Sequence, residues 1–225
     1  PCLLSQKNLI SLRIENKSIN CKPGLTGLAQ INSYENMSFK KKAFYDFEYA
    51  NKKACELAIQ AKQNSKKEVF IAGSIPAQFD TYKEDTRDDE IIISAFFDQI
   101  NCISDYVDFL YLDVISSGRE IDLATKIIEK LDKPILLGIH LTKNGCLPSG
   151  ETISQVLKKY KSKNWIGIIA ACVSLEIAEN SINELKLQNL PFGYKVNLWG
   201  QDEPLPQRKI NTAKFNQDAV NLNTV

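Results

Sequence analysis

Long apolar runs are missing from this sequence. Its longest, such as Ile166 to Val173, fall far short of the roughly 20 residues that a membrane-crossing helix needs, so no transmembrane segment is expected. An excess of one charge is missing too: 28 Lys and Arg face 27 Asp and Glu, for a net charge of +1. No global field therefore exists to hold nucleic acid or a membrane surface, and any charged ligand must be met locally. Ten glycines and eight prolines are an ordinary share, which excludes collagen-like and low-complexity architectures. The six cysteines are scattered without a CxxC pair, so a disulfide framework is excluded and reduced thiols in a cytoplasm are expected. No GxGxxG or GxxxxGKS loop follows any apolar run, which argues against a nucleotide-binding reading.

What is present is an ordinary globular composition, 44% hydrophobic and 24% charged over 225 residues, enough for a core. The chain begins at Pro1 without a methionine, so either an N-terminal portion is absent or the chain was trimmed. Charge divides the chain: residues 1–50 carry seven basic and four acidic groups, residues 51–225 twenty-one and twenty-three. Periodicity changes near the same place. Up to Tyr49 there are turn signals and a Lys-rich amphipathic helix from Ser38. Beyond Asn51, strand-like apolar runs alternate with helical patterns.

The expected elements after Asn51 are a helix over Lys53–Gln63, a strand over Glu68–Ala72, a helix over Asp88–Ile103 and a strand over Val107–Ile115. A helix over Glu120–Leu131 and a strand over Pro134–Leu141 follow, then a helix over Glu151–Tyr160 and a strand over Trp165–Cys172. The last pair is a helix from the N-cap Ser174 to Leu187 and a strand over Phe192–Trp199, after which the sequence is polar and irregular. Five strands joined by helices are too far apart for hairpins and require a parallel sheet. A (β/α)₈ barrel typically takes about 250 residues. The fold class is thus α/β, a partial TIM-type barrel of about five of eight units behind a small N-terminal helical and irregular segment.

In such a fold ligands meet the carboxyl ends of the strands. The residues there are Gly73 and Ser74, Asp113, His140, Cys172 and Asn197. Asp113 ends an apolar strand, where a carboxylate needs a partner: a ligand amine, the Ser116-Ser117-Gly118 turn or Arg119. His140, the only histidine, is either a hydrogen-bonded core residue or a base. Cys172 is either a small apolar filler or a thiolate ligand. Cys55 and Cys102 fall on helices, Cys146 in a loop, and Cys2 and Cys21 in the first stretch; no three cysteines have zinc-site spacing.

These strand ends carry a resemblance. The strings ACELAIQAK, VFIAGSIPAQFDTY, VDFLYLDVIS, LLGIHLTKNGCLPSGETI, WIGIIAACVS and FGYKVNLWG are similar, in order and spacing, to those of the homocysteine S-methyltransferase family over about residues 51–220. The resemblance implies a barrel that binds zinc through three cysteines, holds homocysteine by its thiol and moves a methyl group to it from a sulfonium or related donor. It also implies that Cys172 is the first zinc ligand and that Asp113, in place of a family glutamate, meets the substrate ammonium. Gly73, Ser74, Ser149, Gly150 and Asn197 match pocket positions, with His140 a further binding candidate. The family's adjacent cysteine pair and its opening DGG-like strand have no counterpart here, so a weak zinc site and an inactive methyltransferase are expected.

Residues 1–50 resemble the C-terminal part of bacterial sugar transferases, through PCLLSQKNLISLR and CKPGLTGLAQINSYENMSFKKKAFYDFEYA. That resemblance implies a membrane-associated enzyme moving a sugar phosphate to a polyprenyl phosphate, whose catalytic acidic pair is missing here. The two-part division is therefore residues 1–50 and 51–225. Besides homocysteine binding, two alternatives stand: a sugar-phosphate transferase remnant, and a non-enzymatic binding module. An incomplete barrel leaves strand edges uncovered, so oligomer formation is expected.

Overall fold

A computed structural model describes residues 7–15 and 37–197. The KPGLTGLAQIN string, Cys2, Cys21, and the chain from Leu198 onward lie outside the described residues. The chain divides into two compact units, Pro1–Ile71 and Ala72–Val225.

In the first unit, α1 (Lys7–Glu15) packs on α2 (Phe39–Asn64). Leu9 and Ala43 are buried, and Arg13 pairs with Asp46. Ser38 caps α2 by accepting a hydrogen bond from the Lys41 amide at 3.2 Å, as a serine at that position does. Over the span of α2 two helices were expected, Ser38–Tyr49 and Lys53–Gln63, and one is found. No Gly or Pro interrupts Tyr49–Lys53, and the stretch is bridged one turn apart by Lys52 on Glu48 (2.6 Å) and by the Asn51 amide on the Phe47 carbonyl (2.9 Å). The helix therefore runs unbroken across the expected division at residue 50.

The second unit is a five-stranded parallel sheet in the order β1 (Ala72–Pro76), β2 (Phe109–Ile115), β3 (Ile135–Ile139), β4 (Trp165–Val173) and β5 (Phe192–Val196). The connections are α3 (Asp89–Ile103), α4 (Gly118–Glu129), α5 (Ile153–Lys159) and α6 (Leu175–Lys186). Because each crossover is right-handed and the order never reverses, the helices collect on one face. This is the winding of a barrel wall; a doubly wound sheet would reverse at a switch point. Ile75, Leu110, Leu112, Leu137 and Ala170 meet the helices' Ile92, Phe96, Ile121, Ile128 and Ile177, all of them buried. Period-two alternation then places Ser74, Tyr111, Asp113, Gly138, Ile169 and Lys195 on the opposite face.

The first strand is displaced from its expected place. Residues 68–70 are exposed, and Phe70 lies beneath the Lys62 ammonium, 5.8 Å from its ring centroid. Pairing starts only where Ala72 meets Phe109. The expected strand of Glu68–Ala72 is thus an apolar connector, and Gly73 and Ser74 lie inside β1 instead of at its end.

Candidate functional site

Two backbone irregularities shape the carboxyl rim of the sheet. Register slips between Leu112 and Ile115 in β2 and between Ala171 and Val173 in β4. Each slip holds one non-glycine residue in the left-handed region, Val114 at φ 60° and Cys172 at φ 56°. A bulge of this kind re-aims the neighbouring side chains, and left-handed backbone at a β-branched valine is costly, a feature that concentrates at functional sites.

Asp113, just before the first bulge, is paired with Lys195 of β5. The Lys195 Nζ donates to both carboxylate oxygens, at 2.8 and 2.7 Å, with side-chain exposures of 17% for Asp113 and 48% for Lys195. Ser74 Oγ makes a long 3.4 Å contact to the same carboxylate. Neither Arg119 nor the Ser116–Gly118 turn takes Asp113. Ser117 instead caps α4, accepting from the Glu120 amide at 3.2 Å. Tyr111 lies beside Asp113, and its phenol is pushed above the usual range by burial first and by the Asp113 carboxylate next. Gly138 makes this placement possible: a methyl group there would fall 2.5 Å from the Tyr111 ring and 2.6 Å from the Leu112 carbonyl.

Cys172 occupies the second bulge. Tyr82, from the loop between β1 and α3, places its hydroxyl 2.9 Å from the Cys172 Sγ. Burial raises the Tyr82 phenol most, with Cys172 and Asp113 adding to the rise, so at neutral pH it is a neutral hydroxyl able to donate to sulfur. The Asn197 amide donates to the Cys172 carbonyl at 3.0 Å and lies 3.9 Å from its sulfur. His140 is buried, and its Nδ1 lies 3.3 Å from the Ala171 carbonyl. With a carbonyl as that partner, Nδ1 carries the hydrogen. Burial lowers its pKa, with the Ala171 bond opposing, and its ring meets Tyr82 edge-on at 4.6 Å.

The rim therefore brings together Ser74, Asp113, His140, Cys172 and Asn197. Of the other expected positions, Gly73 lies off the rim, and Ser149 and Gly150 lie in the loop that leaves the carboxyl end of β3. Gly73 faces the helices, where an added methyl would meet Leu110, Ile103 and Val107 within 3.0 Å. Ser149 donates its amide to the Ser116 carbonyl (3.1 Å) and its hydroxyl to Glu151 (2.9 Å), while Gly150 turns the chain at φ 88°. These two brace the loop between β3 and α5 against the start of α4. Sequence reasoning passed over Tyr82, Tyr111 and Lys195. The available signal was Lys195, a charge inside the strand FGYKV that shares a face with Gly193 and is in register with Ala171.

Among the described residues no group of three His, Cys, Asp or Glu is placed to hold a metal ion. Cys55 and Cys102 are buried in α2 and α3, and Cys146 lies in the β3 to α5 loop. Among the described residues no helix is long and apolar enough to cross a membrane.

Comparison with known proteins gives a family match, that of homocysteine S-methyltransferase, over residues 28–221. The match begins well before the expected residue 51, and the likeness of residues 1–50 to sugar transferases finds no support beside it. No curated protein matches the chain. Similar solved structures include the homocysteine methyltransferase MmuM from Escherichia coli in its metallated form, at 13% identity and TM-score 0.49, covering 87% of this chain and 85% of that one. Its oxidized form gives 14% and 0.48 with the same coverage, and its apo form 10% and 0.46, covering 86% and 81%.

Proposed function

We propose, for a chain that belongs to the homocysteine S-methyltransferase family, that its carboxyl rim binds homocysteine. The Asp113 carboxylate takes the amino acid's ammonium, and the substrate sulfur lies beside Cys172 and the Tyr82 hydroxyl. The observation that carries this reading is the placement of a part-buried carboxylate and a thiol on one bulged rim, with Tyr82 sensing both electrostatically. The substrate would receive its methyl group from a donor of sulfonium or related type, as in the family.

Zinc would keep the substrate sulfur ionised, but a zinc site needs at least three protein ligands. The described residues offer Cys172 with no second or third ligand beside it, so this donor set does not fit a tightly held zinc. What these residues supply is capture and orientation of a thiol amino acid. Four free cysteines and no disulfide among the described residues support a reducing, cytoplasmic setting.

Thermal melting of the full chain tests this reading. A ligand at about a hundred times its Kd adds about 2.7 kcal/mol, so homocysteine should raise the midpoint by several degrees, and Asp113→Ala should abolish the rise. Metal analysis should find no tightly bound zinc. A midpoint indifferent to homocysteine, with and without zinc, overturns the assignment, and one tightly held zinc equivalent overturns its metal half.

A further inference from the structure

The carboxylate assigned to the substrate ammonium is already engaged, because Lys195 Nζ spans both Asp113 oxygens at 2.8 and 2.7 Å. An incoming ammonium must displace it. We propose that Lys195 is a specificity-determining counter-ion that passes from Asp113 to the α-carboxylate of an incoming amino acid, so that the rim selects ligands bearing both charges. This inference rests on the homocysteine reading above and deepens it.

The exchange conserves charge pairing. A ligand with only an ammonium would break the Asp113–Lys195 pair and leave the lysine without a carboxylate. A ligand with only a carboxylate would draw Lys195 away and leave Asp113 uncompensated in its part-buried place, and removing one partner of such a pair is unfavourable. A zwitterion forms two pairs from one. Lys195 has the freedom for this move, since it stands on β5, which has one strand neighbour among the described residues, and is 48% exposed beside an Asp113 that is only 17% exposed. Its flexible stem carries a compact ammonium that tolerates changed partners. The Tyr111 ring, with its centroid 5.7 Å from Nζ, gives the head an aromatic surface to move along.

Calorimetric titration of the full chain with homocysteine, mercaptopropylamine (no carboxylate) and mercaptobutyrate (no ammonium) tests the proposal on wild type, Lys195→Met, Lys195→Arg and Asp113→Asn. Wild type should favour homocysteine over both analogues. Lys195→Met should bind homocysteine about tenfold more weakly, the loss of one charge-assisted contact, yet bind mercaptopropylamine more tightly than wild type does. Lys195→Arg should stay within a few fold of wild type. Asp113→Asn should lose homocysteine and gain affinity for mercaptobutyrate through the freed lysine. If Lys195→Met binds homocysteine as tightly as wild type or tighter, the lysine merely competes with the ammonium and the exchange is overturned while the homocysteine reading stands. If folded wild type, verified by its melting transition, binds none of the three, both fall together.

Discussion

Glu120 shows how much one buried residue can set. It is 1% exposed at the start of α4, accepting from the Ser117 hydroxyl at 2.7 Å and from the Asp85 amide, with the carboxylates of Asp85 and Glu84 nearby. Burial, the largest influence, pushes its carboxyl up to about 7, against the lowering by those hydrogen bonds. The folded state therefore keeps a proton that the unfolded chain releases near its ordinary 4.5. The resulting stability is complete below about pH 4.5, and it is lost as pH rises through about 7, a change on the order of 3 kcal/mol. His140 acts in the opposite sense, because its lowered pKa makes stability fall as pH drops through the mid-acidic range. The comparison of wild type with Glu120→Gln isolates the first effect. Glutamine offers one acceptor and one donor, as the protonated carboxyl does, so the variant's melting midpoint should pull ahead of wild type steadily from pH 5 to pH 8. A difference between the two midpoints that stays constant from pH 5 to pH 8 would mean that Glu120 folds ionised. At this scale the sequence displayed Asp113, Cys172 and Asn197, because each ends an apolar run where a polar residue stands out. It did not display Lys195 or Tyr82 as site residues, since their places depend on the β4–β5 register and on the path of a loop, both set by distant parts of the chain.

At the scale of elements, the loop over residues 77–88 decides whether Tyr82 reaches Cys172. That loop is tied to α4 by the Asp85 amide on Glu120 and by the side chain of Arg119. Arg119 donates to the carbonyls of Asp85 (3.1 Å) and Arg87 (2.8 Å) and pairs with Asp89, while Arg87 grips the buried Asp85. Arg119→Lys keeps the charge but not the fork that serves three acceptors at once. The loop should then loosen, and Cys172 should alkylate several-fold faster, as it should in Tyr82→Ala, which removes the cover directly. Peptide mass spectrometry after iodoacetamide reads both rates, and a rate unchanged in Arg119→Lys would show that the loop is held by other contacts. The helices and strands from Asp89 to Val196 were legible almost to their ends, since a cap such as Ser174 and apolar runs such as PILLGIHL are local signals. The start of β1 was not, because Val69 and Phe70 have strand-like character but pair with no strand among the described residues.

For the whole molecule the governing fact is a strand order that climbs from β1 to β5 without reversal. Alternating strands and helices could be read from the sequence. The barrel winding was read less directly, from the lack of any nucleotide-binding loop after a strand, because period-two and period-3.6 patterns look the same in a barrel wall and in a doubly wound sheet until the strands are paired. Such a wall has β1 and β5 at its ends, each with one strand neighbour among the described residues. Unpaired edges are templates for association, and β5 presents Phe192 at 39% and Val196 at 42% exposure, while the charge it carries, Lys195, is engaged by Asp113. Self-association through β5 should therefore appear in sedimentation velocity as a weight-average coefficient that grows with protein concentration. Val196→Lys places a charge on that edge without removing a buried contact, and it should shift the rise to higher concentration while leaving the unfolding free energy within about 0.5 kcal/mol of wild type. A variant that sediments like wild type at every concentration would mean that association, where seen, proceeds through another surface, because a lysine on a pairing edge cannot be neutral to strand addition there.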